Sequence, residues 1–357
     1  MTGFIKEALA EARKRKGYTY PNPAVGAVLV ANQQVVGRGM HWAAGQPHAE
    51  VEALRGVREA AGTTLFVTLE PCCHFGKTPP CTDLIQEKKI SRVVYAHADP
   101  NPQVSGKGAQ ILRDAGIEVS YIQDPEVDDF YRSYDFWTRH QRTWLTAKLA
   151  LTKDFGTSGE SGERLFISGP EANAYTHRRR SEADVLITSE STIRIDNPLF
   201  TVRLGKQVIK KPICILDREF RCALDSDIIK NALQTIWVGD HNRIETGKQR
   251  FLGLKGQVLG LESSKNLLRL EGLSSLLAQQ GFHEAWIECG PRVFTELVKN
   301  QWVQEVVLYL SKKIAGSGGR LYFESLSIEN HYRLLNVQET DSDRIEVWRL
   351  KRVFQDE

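Results

Sequence analysis

Residues 64–85, TLFVTLEPCCHFGKTPPCTDLI, open as a β-branched and aromatic run and close as a cysteine cluster. The run Thr64 to Leu69 predicts a strand ended by Pro71. On its N-terminal side, His48 to Ala60 is helical in pattern, and Val25 to Val30 and Val35 to Gly37 read as strands of a hairpin joined through Ala-Asn-Gln-Gln. Before them Phe4, Ile5, Ala8, Leu9 and Ala12 recur at helical spacing over Phe4 to Lys16, with Gly17 as a stop. On its C-terminal side, Arg92 to Ala96 predicts a strand, Gly108 to Ala115 a helix ended by Gly116, and Glu118 to Ile122 a last strand. Strands alternating with helices imply a layered α/β sandwich with the sheet in the middle.

The rhythm breaks at Gln123 to Asp129 and the aromatic-rich FYRSYDFWTRH, then restarts at Trp144 to Leu151. A chain of 357 residues exceeds what one core usually serves, so the boundary belongs in that interval, giving domains 1–143 and 144–357. In the second, strand-like runs at Val185 to Thr188, Ile213 to Leu216, Thr235 to Val238, Ala285 to Glu288 and Glu305 to Leu310 alternate with helical stretches such as Glu171 to Arg180 and Leu267 to Gln280. A second α/β domain is expected. Lys plus Arg number 47 against 44 for Asp plus Glu, too even a balance for a nucleic-acid coat or a membrane-surface patch. The longest apolar stretch, Ala24 to Ala31, falls far short of the roughly 20 residues that span a bilayer. The opening MTGFIKEALAEARKRKG lacks the order of a secretory signal, so a cytoplasmic protein is expected, with a homo-oligomer left open.

Six cysteines are too few for a disulfide framework, and Cys72, Cys73 and Cys81 cluster. With His48 they make a three-ligand set of one imidazole and two thiolates, His48, Cys72 and Cys81, which favours zinc and keeps a position open for water, as catalytic sites do. A water so held ionises near pH 7, at about 7. Glu50, two residues from His48, does not share its helix face and is placed to carry the proton from the water to a leaving amine. A Pro-Cys pair after a strand is where a helix begins, and Cys72 fits that N-terminal place. A lone histidine or an adjacent cysteine pair would by itself be read as core; together with Pro71 and Glu50 the set points to a His-x-Glu…Pro-Cys deaminase signature. Eight residues, CHFGKTPP, replace the two of that signature between the cysteines. Cys73 reads as a bystander.

That string, with PNPAVGAVLV, GQPHAEVEAL and ADPNPQVSGKGAQIL, resembles the deaminase half of the bifunctional riboflavin-biosynthesis deaminase/reductase family. The resemblance implies a cytidine-deaminase-like three-layer α/β/α domain acting on a diaminopyrimidinone that carries a ribosylamino 5′-phosphate. It implies substrate contacts from Asn22, His41, His74, Lys77 and Asn101. Lys77, in an exposed loop, suits a phosphate, and Asn22, between two prolines, is stiffly placed for a ring edge.

No Gly-x-Gly-x-x-Gly follows a strand in the second half. Yet AKLALTKDFG, GERLFISGPEAN, TSESTIRIDNPLFTVR and IECGP resemble the reductase half of the same family. This implies a dihydrofolate-reductase-like α/β domain that uses NADPH to reduce a ribosyl group to ribityl. The cofactor would meet Ala150, Phe166, Thr192, Asp196, Gly290 and Pro291. The sugar phosphate would meet Arg164, Arg180, Phe200, Arg203 and Glu288, the arginines offering planar forks of donors. Two departures stand out: Phe155 where the family has Gly, and Arg164-Leu165-Phe166 where it has Ser-x-Trp. They motivate one rival, a deaminase with an inactive reductase-like domain. Arg13-Lys14-Arg15-Lys16 and Arg178-Arg179-Arg180 motivate another, a nucleic-acid-editing deaminase, against which the charge balance counts. The leading expectation is a zinc- and NADPH-dependent enzyme of a small phosphorylated pyrimidine, without nucleic-acid or membrane partners.

Overall fold

The structure, a computed structural model, describes residues 2–75, 78–102, 104–158, 165–265, 267–316 and 328–353. The chain divides into two compact units, Met1–Arg142 and Thr143–Glu357.

In the first unit the elements are α1 (Thr2–Arg13), β1 (Gly26–Ala31), β2 (Gln34–Met40), α2 (Ala49–Leu54), β3 (Thr64–Val67), α3 (Cys81–Glu87), β4 (Arg92–Tyr95), α4 (Lys107–Asp114), β5 (Glu118–Tyr121) and α5 (Pro125–His140). The sheet order is β2-β1-β3-β4-β5. Strands β3, β4 and β5 run parallel, and β1 is antiparallel to both β2 and β3. The alternation along β1 sorts the core. Val28 and Val30 pack with Ile5, Leu9 and Ala12 of α1 and Val127 and Tyr131 of α5. Ala27 and Leu29 pack on the opposite face with Ala53 of α2, Ile85 of α3 and Leu112 of α4. Helices on both faces make the three-layer α/β/α sandwich that the strand-helix alternation implied.

Several boundaries differ from the sequence reading. The hairpin turns through Asn32 and Gln33 alone, both with positive φ (50° and 64°), as a two-residue turn matched to strand twist requires. Helix α2 stops at Leu54 and not at Ala60, because Arg55 turns extended and Gly56 takes φ 77°. The interval read as a break is a 16-residue helix, α5. Asp124 caps it by accepting the Glu126 N–H at 2.9 Å, Pro125 occupies its first turn, and Gln141 ends it at φ 53°. Its Val127, Tyr131 and Tyr134 lie three and four residues apart and face the sheet, a helical period that the dense aromatics of that stretch masked.

The second unit runs β6 (Trp144–Leu151), α6 (Pro170–Glu182), β7 (Val185–Ser189), α7 (Glu190–Asp196), β8 (Val202–Leu204), β9 (Gln207–Ile209), β10 (Pro212–Leu216), α8 (Asp227–Asn231), β11 (Gln234–Asp240), α9 (Ile244–Arg250), β12 (Gly256–Leu261), β13 (Ser263–Ser264), β14 (Leu267–Leu268), α10 (Leu273–Ala278), β15 (Glu284–Glu288), α11 (Pro291–Lys299), β16 (Glu305–Ser311), α12 (Ile328–His331), β17 (Tyr332–Glu339) and β18 (Asp343–Leu350). A nine-stranded sheet has the order β12-β11-β10-β7-β15-β6-β16-β18-β17. Its first seven strands are parallel and β18 and β17 add an antiparallel edge. The helix expected over Leu267 to Gln280 begins only at Leu273; the segment first pairs as β14 with β13 and then makes a single 3-10 turn at Leu270–Gly272.

Candidate active site

Parallel sheets gather ligands outside the carboxyl ends of their strands. In the first unit those ends carry Glu70-Pro71-Cys72 after β3 and His97 to Asn101 after β4. Because β1 is antiparallel to β3, its beginning and the end of β2 (Gly26 pairs with Met40) reach the same rim, bringing Asn22 and His41. A cavity of about 380 Å³ opens there, lined among others by Asn22, His41, His48, Glu50, Cys72 and Asn101. His74, Thr78, Asp99 and Tyr134 also face it. Lys77 lies outside the described residues.

His48, Cys72 and Cys81 converge, one ligand atom from each lying within 4.8 Å of the others. His48 Nδ1 is 3.3 Å from Cys81 Sγ and 3.4 Å from Cys72 Sγ. A tetrahedral ion with Zn–S about 2.3 Å and Zn–N about 2.1 Å sets its N and S ligands about 3.6 Å apart, so the donors fit zinc. Cys73 is not in the set. The expected helix N-terminus belongs to Cys81, the first residue of α3 after Pro80, and not to Cys72, which sits in irregular chain. The signal for it was Pro79-Pro80, immediately before Cys81: prolines stand at a helix's edge and not in its interior. The Cys81 N–H points at Cys72 Sγ (3.4 Å). The Cys72 thiol is pushed down to about 4, first by its hydrogen bond with Cys81 and then by His48, while Cys81 is raised by the same pairing.

Glu50 is 4% exposed, and its carboxyl is raised, first by burial and then by the charge on Cys72. A carboxyl raised in this way holds a proton more readily than an exposed one, which suits a group that must take up and pass on protons. His41 Nδ1 faces the Pro47 carbonyl at 3.0 Å and therefore carries the proton; Nε2 accepts from Asn22 Nδ2 at 3.1 Å. Burial lowers the pKa of His41, favouring its neutral form. Its lone pair thus turns the Asn22 amide so that the opposite edge, Oδ1, is the acceptor left for a ligand.

The sequence reading passed over three residues of this rim. Glu70 accepts the N–H groups of Gly106 (2.9 Å) and Ala109 (3.1 Å), tying the start of α4 to the turn that carries Cys72. Asp99, 6% exposed, accepts from the Asn101 N–H at 2.9 Å and from Tyr134 OH at 3.3 Å, and burial raises its carboxyl to about 6. Thr78 Oγ1 lies 3.1 Å from His48 Nε2. The ADPNP and GKTPPC strings held both Asp99 and Thr78, but only the folded rim shows what they face.

In the second unit Arg180 of α6 grips Glu288 at the end of β15 with both arms of its guanidinium, Nε to Oε1 at 2.6 Å and Nη2 to Oε2 at 3.0 Å. Its carbon lies 4.6 Å from the centre of the Phe200 ring. Glu288 is held down to about 2 despite its burial, first by Arg180 and next by Lys148, its neighbour across the β15-β6 pairing. Lys148 was not foreseen; it is a buried cation whose pKa burial lowers, with its Nζ 4.8 Å from the Tyr309 ring centre. Arg203 Nε meets His177 Nε2 at 3.2 Å. Arg180, Phe200 and Glu288 are therefore brought together, and Arg203, exposed, stands with His177 of the same helix α6. Ala150 lies on β6, and Gly290 and Pro291 open α11 directly after β15. A Cβ built on Gly290 meets nothing within 4 Å, so the space beside this strand end is open. Thr192 and Asp196 sit on α7 after β7; Phe166 is 70% exposed, and Arg164 lies outside the described residues. Phe155 adopts φ 60°, a left-handed turn of the kind Gly takes freely, fixed by the Thr152 N–H to Gly156 carbonyl bond (2.9 Å) and by Asp154, which accepts from Ala315 N and Gly316 N.

The basic runs are committed locally. Arg13 pairs with Glu126, Lys14 with Glu11, and Arg15 donates to the Trp42 carbonyl. Arg179 is buried against Glu305 and Glu284. No helix among the described residues is long and apolar enough to cross a membrane.

Fold and site together define a two-part α/β protein with a cytidine-deaminase-type metal rim followed by a reductase-type sheet. Residues 2–97 match the family described as the cytidine and deoxycytidylate deaminase zinc-binding region, and residues 143–345 match the RibD C-terminal domain. The chain is 36% identical over 349 residues to a riboflavin biosynthesis protein RibD of Aquifex aeolicus, covering 96% of each, and 33% identical to RibD of Escherichia coli, covering 89% of each. A solved structure of Acinetobacter baumannii RibD superposes with a TM-score of 0.84 at 30% identity, covering 98% of each chain. A Thermotoga maritima structure described as a diaminohydroxyphosphoribosylaminopyrimidine deaminase/5-amino-6-(5-phosphoribosylamino)uracil reductase does so at 0.82 and 30%, again covering 98% of each. The chain belongs to the RibD family of riboflavin biosynthesis proteins, bifunctional enzymes with a zinc-dependent deaminase half and a dihydrofolate-reductase-like, NADPH-dependent reductase half.

Proposed function

We propose that the first unit hydrolyses the ring amine of 2,5-diamino-6-(5-phosphoribosylamino)pyrimidin-4(3H)-one, and that the second reduces the ribosyl group of the deaminated product to ribityl. The observation that carries the first step is the meeting of His48 Nδ1 with two cysteine sulfurs on the wall of a cavity that also holds a buried Glu50. His48, Cys72 and Cys81 would hold zinc, which when bound supplies Lewis-acid activation of the attacking water. Glu50 takes a proton from that water and gives it to the ring nitrogen beside the amine-bearing carbon. It then transfers the second proton to the amine, which leaves as ammonia while the C–O bond becomes the carbonyl. Asn22, with its amide turned by His41, accepts from a ring N–H. His74, Lys77 and Asn101 complete the contacts, Lys77 with the phosphate.

In the second unit NADPH, when bound, would supply the hydride for reduction of the opened sugar at C1. Gly290, Pro291, Ala150, Phe166, Thr192 and Asp196 would meet the cofactor at the strand ends. Arg180 is engaged by Glu288 and the Thr201 carbonyl, so Arg203, exposed on β8, is the better phosphate partner, with Phe200 and Arg180 shaping the floor beneath the sugar. A small phosphorylated pyrimidine is the partner this arrangement suits, in a cytoplasmic setting. The test is product analysis with the full chain: ammonia release without NADPH, followed by loss of nicotinamide absorbance when NADPH is added. Ammonia release with no NADPH consumption would leave the second unit a scaffold, the rival reading that Phe155 and Arg164 motivate.

A further inference from the structure

We infer that Thr78 is the positioning residue that selects which nitrogen of His48 faces the metal, and that the long Cys72-to-Cys81 loop exists in part to deliver it. The inference rests on the zinc assignment made above. His48 is the N-cap residue of α2, yet its side chain makes no capping bond, so the helix does not hold the ring. Two neighbours do. The His41 ring packs against it edge-on, with centroids 5.4 Å apart at 82°, and Thr78 Oγ1 meets Nε2 at 3.1 Å. The opposite nitrogen, Nδ1, is the one between the sulfurs.

A ligating imidazole nitrogen must offer its lone pair, so the proton has to sit on the other nitrogen. With Nδ1 turned to the metal position, Nε2 carries the N–H, and that part-buried N–H needs an acceptor. Among the described residues Thr78 is the acceptor that meets it. Metal-binding histidines usually donate their second N–H in this manner, and loss of the partner costs about 10–100-fold in metal affinity. Thr78 stands three residues before the ligand Cys81, inside the segment CHFGKTPP. A two-residue spacer between the cysteines would have no residue to put there. Having accepted from Nε2, the Thr78 hydroxyl still has its own proton to give, and Thr78 lines the cavity, so one side chain links the metal ligand to whatever occupies the site.

The experiment compares full-length wild type, Thr78→Val and Thr78→Ser by zinc-chelator competition. Valine keeps the shape and removes the acceptor; serine keeps the acceptor. Thr78→Val is expected to bind zinc about 10–100-fold more weakly and Thr78→Ser within about threefold of wild type. Histidine-selective ¹⁵N spectra of the zinc-loaded proteins, which do not depend on turnover, should show a protonated Nε2 for His48 in wild type and Thr78→Ser, with that proton exchanging faster in Thr78→Val. Equal zinc affinity in Thr78→Val and wild type, or equal weakening by Val and Ser, would overturn the inference while leaving the zinc site standing. A wild-type chain that binds no stoichiometric zinc would overturn the assignment beneath it as well.

Discussion

Gly108 sits in the first turn of α4, where replacement by Ala would ordinarily stabilise a helix by about 1 kcal/mol. The structure reverses that sign. A Cβ at Gly108 would lie 2.0 Å from the Pro71 carbonyl oxygen and 3.2 Å from its carbon. Ordinary contact is about 1.4 Å farther out, and the obstacle is backbone, so no rotamer relieves it. The segments that must separate are α4 and Glu70-Pro71-Cys72, already tied by the Glu70 carboxylate to Gly106 N and Ala109 N. Overpacking of this kind costs about 1–3 kcal/mol, which outweighs the propensity gain. The displacement also falls on the residue next to a proposed metal ligand, where distances tolerate only about 0.2 Å. Gly108→Ala in the full chain should therefore lower the midpoint of the unfolding transition of the first unit and weaken zinc at least about tenfold in chelator competition. A variant with wild-type zinc affinity and an unchanged or raised midpoint would refute the reasoning.

Other substitutions separate the roles assigned around the rim. Glu50→Gln should retain zinc, measured by metal analysis, and lose at least about 100-fold in ammonia release, because the carboxyl moves protons and does not ligate. Cys73→Ser should keep both zinc and activity, since Cys73 is outside the converging set; metal analysis and ammonia release check it. Asp99 gives a pH signature: with its folded carboxyl raised to about 6, the folded state keeps a proton the unfolded chain has already released, so its contribution to stability is lost as pH rises from 4 to 6. In metal-free protein the loss amounts to about 3 kcal/mol, and Asp99→Asn, which can still accept from Asn101 and Tyr134, should flatten that part of the stability–pH curve in denaturant titrations.

The layers were readable because short β-rich runs such as Val25 to Val30 alternate with helical stretches and because α1 repeats its apolar residues at helical spacing; both signals are local. The metal ligands were readable for a different reason, since thiolates and an imidazole beside Pro71 and Glu50 have few other uses in combination. Legibility failed where tertiary contact decides. Helix α5 hides its period in a run of aromatics whose burial depends on the sheet, and α3 rather than the Cys72 turn supplies the helix N-terminus because Pro79 and Pro80 displace it along the chain. Phe155 shows the limit from the other side: the sequence flags a Gly-like position, and only the Thr152–Gly156 bond and the Asp154 contacts show how a Phe is held at φ 60°. Thr78 and Asp99 are ordinary residues in sequence, and their significance lies in atoms from distant segments that they meet. Arg180, which the resemblance offers to the sugar phosphate, is seen only in the fold to place two of its nitrogens on Glu288.

The central claim is a catalytic metal held by His48, Cys72 and Cys81 on the cavity wall, and the most direct measurement is zinc content alongside ammonia release for the full chain before and after chelation. The account predicts one zinc per chain, loss of ammonia release when the metal is stripped, recovery on adding zinc, and no zinc retained by Cys72→Ser. Undiminished ammonia release from the metal-free chain, or a full complement of zinc in Cys72→Ser, would contradict it.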